Sequence, residues 1–239
     1  MSGLASPDAT DLREWGSPGS TRFRPFEWLW LFIVLGVPAI ILVLVVLLLA
    51  GVAAAGAFLV LYALVVAWWL ARPGRKALAA QADAQPAGED EAPRLMNLVR
   101  GIARDLKLPP PKVWLASGPP NALICRAGGP VLLVRRGLLE EYTRTELEAV
   151  VAHCLIRIAT GELRRASLSA ALGAVAGPAG VSNAEDVDTR TVALTRYPPA
   201  LASAIEKAAP ADDAGRSFWF VAAGSTPDAP ERARRLRDL

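Results

Sequence analysis

EAVVAHCLIRIATGEL, Glu148–Leu163, holds the only histidine of the 239-residue chain, His153. Its apolar residues keep helical time. Leu147, just ahead of the stretch, is followed by Val150, Val151, Cys154, Leu155 and Ile158 at i+3, i+4, i+7, i+8 and i+11. That is one continuous stripe, the buried face of an amphipathic helix. Thr143 and Glu146 stand at capping-box spacing, so the helix begins there and runs to Arg164 or Arg165. At about 100° per residue, His153 and Arg157 share a different flank, one turn apart.

Upstream of this helix the period changes. KVWLA (112–116), NALICR (121–126) and PVLLVRR (130–136) are short apolar runs punctuated by Gly-Pro and Gly-Gly, which predicts three strands. GLLEEY (137–142) reads as a short helix. Leu95, Leu98, Val99, Ile102 and Leu106 give an earlier amphipathic helix that Pro109–Pro111 ends. Downstream, SLSAALGAVAGPAG (167–180) is too short to cross a bilayer. Helices are predicted near Asp186–Leu194 and Pro199–Ala208, a strand at SFWFVAA (217–223), and a basic terminal helix in PERARRLRDL (230–239).

Between Trp28 and Ala71 there is no charged residue. As one helix this stretch would span roughly 65 Å, about twice a bilayer core. Two spans, about Trp28–Leu49 and Val52–Leu70, turned over at AGVAAAG, fit better. Pro38 is tolerable inside a span because local adjustment satisfies the freed carbonyl. Arg22 and Arg24 precede the hairpin; Arg72, Arg75 and Lys76 follow it, and the apex carries no cation. The positive-inside rule therefore predicts a multi-pass protein of the cell (inner) membrane with both termini and the soluble domain cytoplasmic. Trp28, Trp30, Trp68 and Trp69 would form the interfacial belt, and Asp8, Asp11 and Glu14 argue against a cleaved leader.

The organisation expected is a disordered tail over 1–25, a transmembrane hairpin over 26–72, a linker over 73–92 and a folded domain over 93–239. The tail is rich in Ser, Gly, Pro and charge; the linker, RPGRKALAAQADAQPAGEDEAP, is rich in Ala, Pro and acids. With 26 Lys and Arg against 23 Asp and Glu, the net charge is only +3, and the cations are scattered or flank the membrane. No nucleic-acid-binding stripe is present. Cys125 and Cys154, in a cytoplasmic domain, are expected as reduced, apolar packing residues.

The helix around His153 has the layout of a zinc-peptidase helix: one face in the core, and two ligand positions four residues apart. From about Pro93 onward the chain resembles the catalytic domain of the HtpX-type membrane zinc metallopeptidases. The resemblance is carried by PPPKVWLASGPPNALIC, GLLEEYTRTELEAVVAHCLIRI, DTRTVALTRYPPALASAIEKAA and STPDAPERARRLRDL, in family order after a membrane hairpin. It implies an α+β zincin-like cytoplasmic domain of the gluzincin type.

The departures fall on the chemistry. Where the family reads H-E-x-x-H, this chain reads HCLIR. His153 matches the first ligand, Cys154 stands for the general-base glutamate, and Arg157 stands for the second histidine. The family's third ligand is a glutamate four residues before an aspartate. With Asp188 as that aspartate, the ligand position holds Ala184, and the connection from Arg157 is shorter than in active members.

Catalytic zinc needs about three protein ligands and a water; one imidazole cannot hold it, and no second histidine exists. Arg157 offers no lone pair and repels a divalent cation. Zinc, expected from the resemblance, is therefore not predicted to bind. What the resemblance leaves is a groove, where a substrate strand pairs along a sheet edge near Asn121 and Ala122, with Cys125 on the same strand. Backbone pairing of that kind does not need the metal.

The leading expectation is a membrane-anchored pseudopeptidase acting as scaffold, adaptor or regulator. Its partners would be the bilayer and a membrane protein or extended peptide segment. The alternative is an enzyme: a membrane protease with an unorthodox metal site, or a cysteine-dependent hydrolase in which Cys125 or Cys154 works with His153.

Overall fold

The computed structural model describes residues 25–180, 184–213, 215–225 and 227–239. The tail and the flanking Arg22 and Arg24 lie outside the described residues, apart from Pro25, which opens the first helix.

Helix α1 (Pro25–Ala50) and helix α2 (Val52–Ala79) form an antiparallel pair turned at Gly51, whose φ of 84° a side chain would resist. Both are long and apolar enough to cross a membrane, and almost none of their apolar windows is buried within the protein. A π-helical turn over Phe32–Gly36 interrupts α1 just before Pro38, and the Tyr62 hydroxyl donates to the Leu35 carbonyl in that turn at 2.8 Å. Exposed Leu, Ile and Val cover the pair's surface.

The linker expectation needs correction. Helix α2 does not stop at Leu70 but continues through Pro73 to Ala79, and Gln85–Pro86 forms strand β1 of the sheet. The physical reason is packing. Ala77 and Leu78 are buried in a cluster with Leu123, Val131, Leu133 and Phe218, and that burial outweighs the local cost of the proline. Gly74 permits the approach: a Cβ there would sit 2.7 Å from the Arg126 carbonyl oxygen. The apolar helix pair is thus joined to the folded domain by a continuous helix.

Helix α3 (Pro93–Asp105) follows, then β2 (Lys112–Ala116), β3 (Ala122–Arg126) and β4 (Pro130–Arg135). These are the three strands that the apolar runs predicted. The four-stranded mixed sheet has the order β1-β2-β4-β3, with only β2 and β4 parallel. Alternate residues face opposite sides. Val113, Leu115, Ile124, Leu132 and Val134 pack in the main core with α3 and with α5 (Arg144–Ala159), the helix of the opening stretch. Leu123, Cys125, Val131 and Leu133 pack on the other face against the end of α2 and against Ala166 of α6 (Glu162–Leu172).

Helix α4 (Arg136–Glu141) joins β4 to α5, and a complete capping box opens α5. The Thr143 hydroxyl accepts from the Glu146 amide, while the Glu146 carboxylate accepts from the Thr143 amide. Burial acts to raise the Glu146 carboxyl. Lys207, Ser203 and Thr143 outweigh it and hold the group down to about 2. Helix α6 continues into a 3-10 stretch, Gly173–Gly180, that returns to α1: the Trp30 indole donates to the Val175 carbonyl at 3.0 Å, and Arg165 grips Glu27 at two points. Helices α7 (Ala184–Thr195), α8 (Pro198–Lys207) and α9 (Ala229–Arg237) complete the domain.

Candidate functional site

Helix α5 buries more than its apolar stripe. His153 and Arg157 are 3% and 6% exposed, although neither belongs to that stripe. A second layer closes over them, built from α7, α9 and the segment that follows α8. His153, Arg157 and Ala184 line one cavity of about 280 Å³, together with Trp219, Phe220 and Arg232. Three of the four positions assigned by sequence to the zinc site therefore meet. Cys154 does not: it is fully buried in the main core, as its place in the stripe requires.

Asp188, one turn after Ala184 on α7, faces His153. Its Oδ1 lies 3.2 Å from the imidazole Nε2. The same carboxylate takes two hydrogen bonds from Arg232 of α9, from Nη2 to Oδ1 at 2.7 Å and from Nε to Oδ2 at 2.8 Å. Arg232 Nη2 also lies 3.4 Å from His153 Nε2. The shorter contact puts the imidazole proton on Nε2, donating to Asp188, and leaves Nδ1 as a buried lone pair without a protein partner among the described residues. Phe220 meets the imidazole ring edge to face, at 4.9 Å between centroids.

The electrostatics follow from that packing. Burial holds the His153 imidazole down to about 4, against the pull of Asp188 in the other direction; Arg232 and Arg157 add to the depression. Burial works to raise the Asp188 carboxyl, but His153 and Arg232 together keep it below its ordinary range. At neutral pH the group is therefore a neutral imidazole beside a closed Arg–Asp ion pair.

Arg157 has a different task. Its Nη1 donates to the Phe218 and Trp219 carbonyls at 3.2 and 3.1 Å, and its Nη2 to the Ser217 carbonyl at 2.6 Å. No carboxylate lies within ion-pair distance of it among the described residues. Burial lowers its pKa, yet a guanidinium keeps its proton at neutral pH. It is a buried cation held by three main-chain dipoles.

Those carbonyls belong to the segment predicted as a strand. Arg216–Phe218 is instead a 3-10 turn, and the chain then runs along the free edge of β3 with one antiparallel bridge, Leu123 to Trp219. The Phe220 amide donates to the Ala122 carbonyl at 2.7 Å. Asn121, fully buried, donates from Nδ2 to the Ala209 and Val221 carbonyls at 2.7 and 2.8 Å.

The expected groove edge at Asn121, Ala122 and Cys125 is thereby corrected: all three are fully buried, and this chain's own residues 219–221 occupy the edge. Cys125 packs on the opposite sheet face from Cys154, and burial pushes each thiol up to about 12, with Arg157 opposing the effect at Cys154. Neither lines the cavity that His153 faces.

Sequence reasoning missed Arg232, which read only as part of a basic terminal helix. A signal was present: it falls three and four residues before Arg235 and Leu236, on the flank of α9 that also carries the buried Ala233 and Leu236. Among the described residues, no three His, Cys, Asp or Glu side chains converge as a metal site.

A four-stranded mixed sheet backed by a capped helix thus follows a pair of apolar helices long enough to cross a membrane. In comparison with known proteins, the chain is similar over part of its length to curated HtpX protease homologues. It is 37% identical over 87 residues to the Protease HtpX homolog of Thermococcus sibiricus, covering 35% of this chain and 30% of that protein. The Dictyoglomus turgidum homologue is 34% identical over 86 residues, covering 35% of this chain and 28% of that protein. The Thermodesulfovibrio yellowstonii homologue is 33% identical over 100 residues, covering 41% and 36%. The chain thus spans about a third of the length of these relatives. No protein-family profile matches it, and no solved structure does either.

Proposed function

We propose that this chain is a membrane-anchored, HtpX-like pseudopeptidase with a zincin-like domain, and that it binds a protein partner as a scaffold or adaptor without cutting it. The observation that carries the reading is the Arg232–Asp188–His153 cluster. Resemblance implies zinc here, and the residues do not fit it. The one imidazole spends Nε2 on Asp188, with a guanidinium 3.4 Å from the same nitrogen. Ala184 offers no donor, and Arg157 adds a second buried cation at a ligand position. Arg157, which has no carboxylate within ion-pair distance among the described residues, opposes a divalent ion a few ångströms away by several kcal/mol even at an effective dielectric of about 20, whereas Arg232 is largely offset by Asp188. With Cys154 in place of the glutamate, no base remains to activate a water.

A cysteine-dependent hydrolase finds no support in the geometry, since both thiols are buried and poorly ionised and neither lines the cavity that His153 lines. Edge pairing of an extended peptide at Ala122 would require displacement of residues 219–221. A partner within the membrane, reached through the hairpin, is the simpler reading. Purified full-length protein should carry no stoichiometric zinc by mass spectrometry and should leave unfolded casein intact. One zinc per chain, lost in His153→Ala together with casein cleavage, overturns the proposal.

A further inference from the structure

We infer that the cavity over His153 is a binding site for a small organic carboxylate with a short apolar body. The inference deepens the non-catalytic reading above and rests on it.

Charge is the first argument. Arg157, Arg216 and Arg232 line the cavity, and no acidic residue lines it among the described residues. Asp188 pairs with Arg232, and Glu162 and Asp188 act on Arg157 only from beyond ion-pair distance. The lining itself is therefore cationic and faces a space partly enclosed by protein, where ionic attraction is stronger than in water.

Unspent donors are the second argument. Arg232 uses Nε and Nη2 on its partners, and its Nη1 has none among the described residues. The Arg216 guanidinium, on an exposed residue, has none either. Ser225 Oγ, on the same wall, is buried and unpartnered. Guanidinium forks and a hydroxyl match the acceptor geometry of a carboxylate.

Size and wall chemistry select the rest of the ligand. The cavity, about 280 Å³, is larger than a bare oxyanion needs and sits at the lower end of small-ligand sites. Val187, Trp219 and Phe220 supply apolar walls beside the charged ones. A carboxylate with a branched aliphatic chain fills both halves. Its source is either a free organic acid or the C-terminal end of a peptide.

Calorimetric titration of the full-length protein in detergent tests this with 4-methylpentanoate and its neutral amide. Acetyl-Gly-Ala-Leu is used in free-acid and amidated forms, with inorganic phosphate as competitor. Saturable one-to-one binding of the acid is expected, weakened about tenfold or more in the amide and in Arg216→Gln, equivalent to about 1.4 kcal/mol. Arg216 is exposed, so that variant keeps the fold.

A peptide acid that binds at least as tightly as 4-methylpentanoate identifies a protein terminus as the source; much weaker binding identifies a free acid. Equal affinity for acid and amide, no effect of Arg216→Gln, no binding, or phosphate competing as well as the acid overturns the assignment. Mass spectrometry of the recovered peptide separates the two readings. Binding with cleavage overturns the non-catalytic reading and leaves the carboxylate site standing, whereas neither binding nor cleavage overturns the site alone.

Discussion

Arg232 and Asp188, far apart in sequence and both buried, form a two-point ion pair with hydrogen bonds of 2.7 and 2.8 Å. The pair locks α9 to α7 above the helix that carries His153. Desolvating two charges opposes their mutual attraction, so the intact pair adds little net stability, but loss of one partner strands the other. Asp188→Leu and Arg232→Met should each destabilise the full-length protein by about 3–5 kcal/mol. Asp188→Leu combined with Arg232→Met should recover most of that loss. Denaturant midpoints of the four proteins measure the cycle, and an additive double variant would argue against the coupling.

His153 makes stability sensitive to acid. Its folded-state pKa is held down to about 4, against 6.5 in an ordinary histidine. Between those values the unfolded chain takes up a proton that the folded chain refuses. Stability is therefore complete above about pH 6.5, falls with acidification, and has lost this contribution at about pH 4, by roughly 3 kcal/mol. Asp188, also held low, adds to the loss as the pH falls further. No other histidine is present, so His153→Gln should flatten the slope in this window. A slope unchanged by that substitution would assign it elsewhere.

Arg157 fastens residues 217–219 over the cleft through three carbonyls. Removing it leaves those acceptors buried without donors, at about 1–3 kcal/mol for each group left unpaired. Arg157→Met should lower stability and, more specifically, loosen the segment along β3. Arg216, exposed at its start, is a trypsin site. Cleavage after Arg216 should therefore accelerate in Arg157→Met well before global unfolding, as mass spectrometry of early fragments would record. Uniform acceleration at all Lys and Arg sites would mean general destabilisation instead.

Both ends of the chain should face the cytoplasm. Cysteines introduced at Ser17, ahead of the hairpin, and at Glu89, an exposed side chain in the folded domain, should react only with a reagent that reaches that side. Leu49→Cys, beside the turn and 83% exposed, should react from the opposite side. Cys125 and Cys154 are fully buried and give little background. Labelling of Ser17 and Glu89 replacements from opposite sides would refute the hairpin.

Much of this architecture was legible. The stripe from Leu147 to Ile158, the capping box and the three apolar runs are local patterns, and local patterns survive into the fold. The hairpin was visible because long uncharged runs have few alternatives. The relation of Ala184, Asp188 and His153 came from resemblance; Ala184 and His153 line one cavity, and Asp188 contacts His153. What stayed hidden was non-local. Nothing within SFWFVAA says that it will lie on the edge of β3, because Arg157 and Asn121, each more than 55 residues earlier, hold it there. The helical path through Pro73 was likewise set by the packing of Ala77 and Leu78 on the sheet. Arg232 was hidden among the terminal basic residues.

The reconstruction of a zinc site tests how complete the change has been. Cys154→Glu and Arg157→His restore the H-E-x-x-H pattern on α5, and Ala184→Glu places a carboxylate on the wall of the same cavity. Three donors are the usual minimum for catalytic zinc. Even so, the triple variant should bind zinc poorly, because Arg232 remains beside the imidazole and Asp188 still draws the Nε2 proton. Glu at position 154 would also have to enter a fully buried core site, where an ionised carboxylate is costly. Adding Arg232→Gln removes the cation and should improve zinc affinity by at least about tenfold. Equilibrium dialysis of the triple and quadruple variants measures this, with circular dichroism as the check on folding. Stoichiometric, micromolar zinc in the triple variant with Arg232 intact would show that the Arg232–Asp188 pair is no barrier, and the electrostatic argument against metal in this cleft would fall with it.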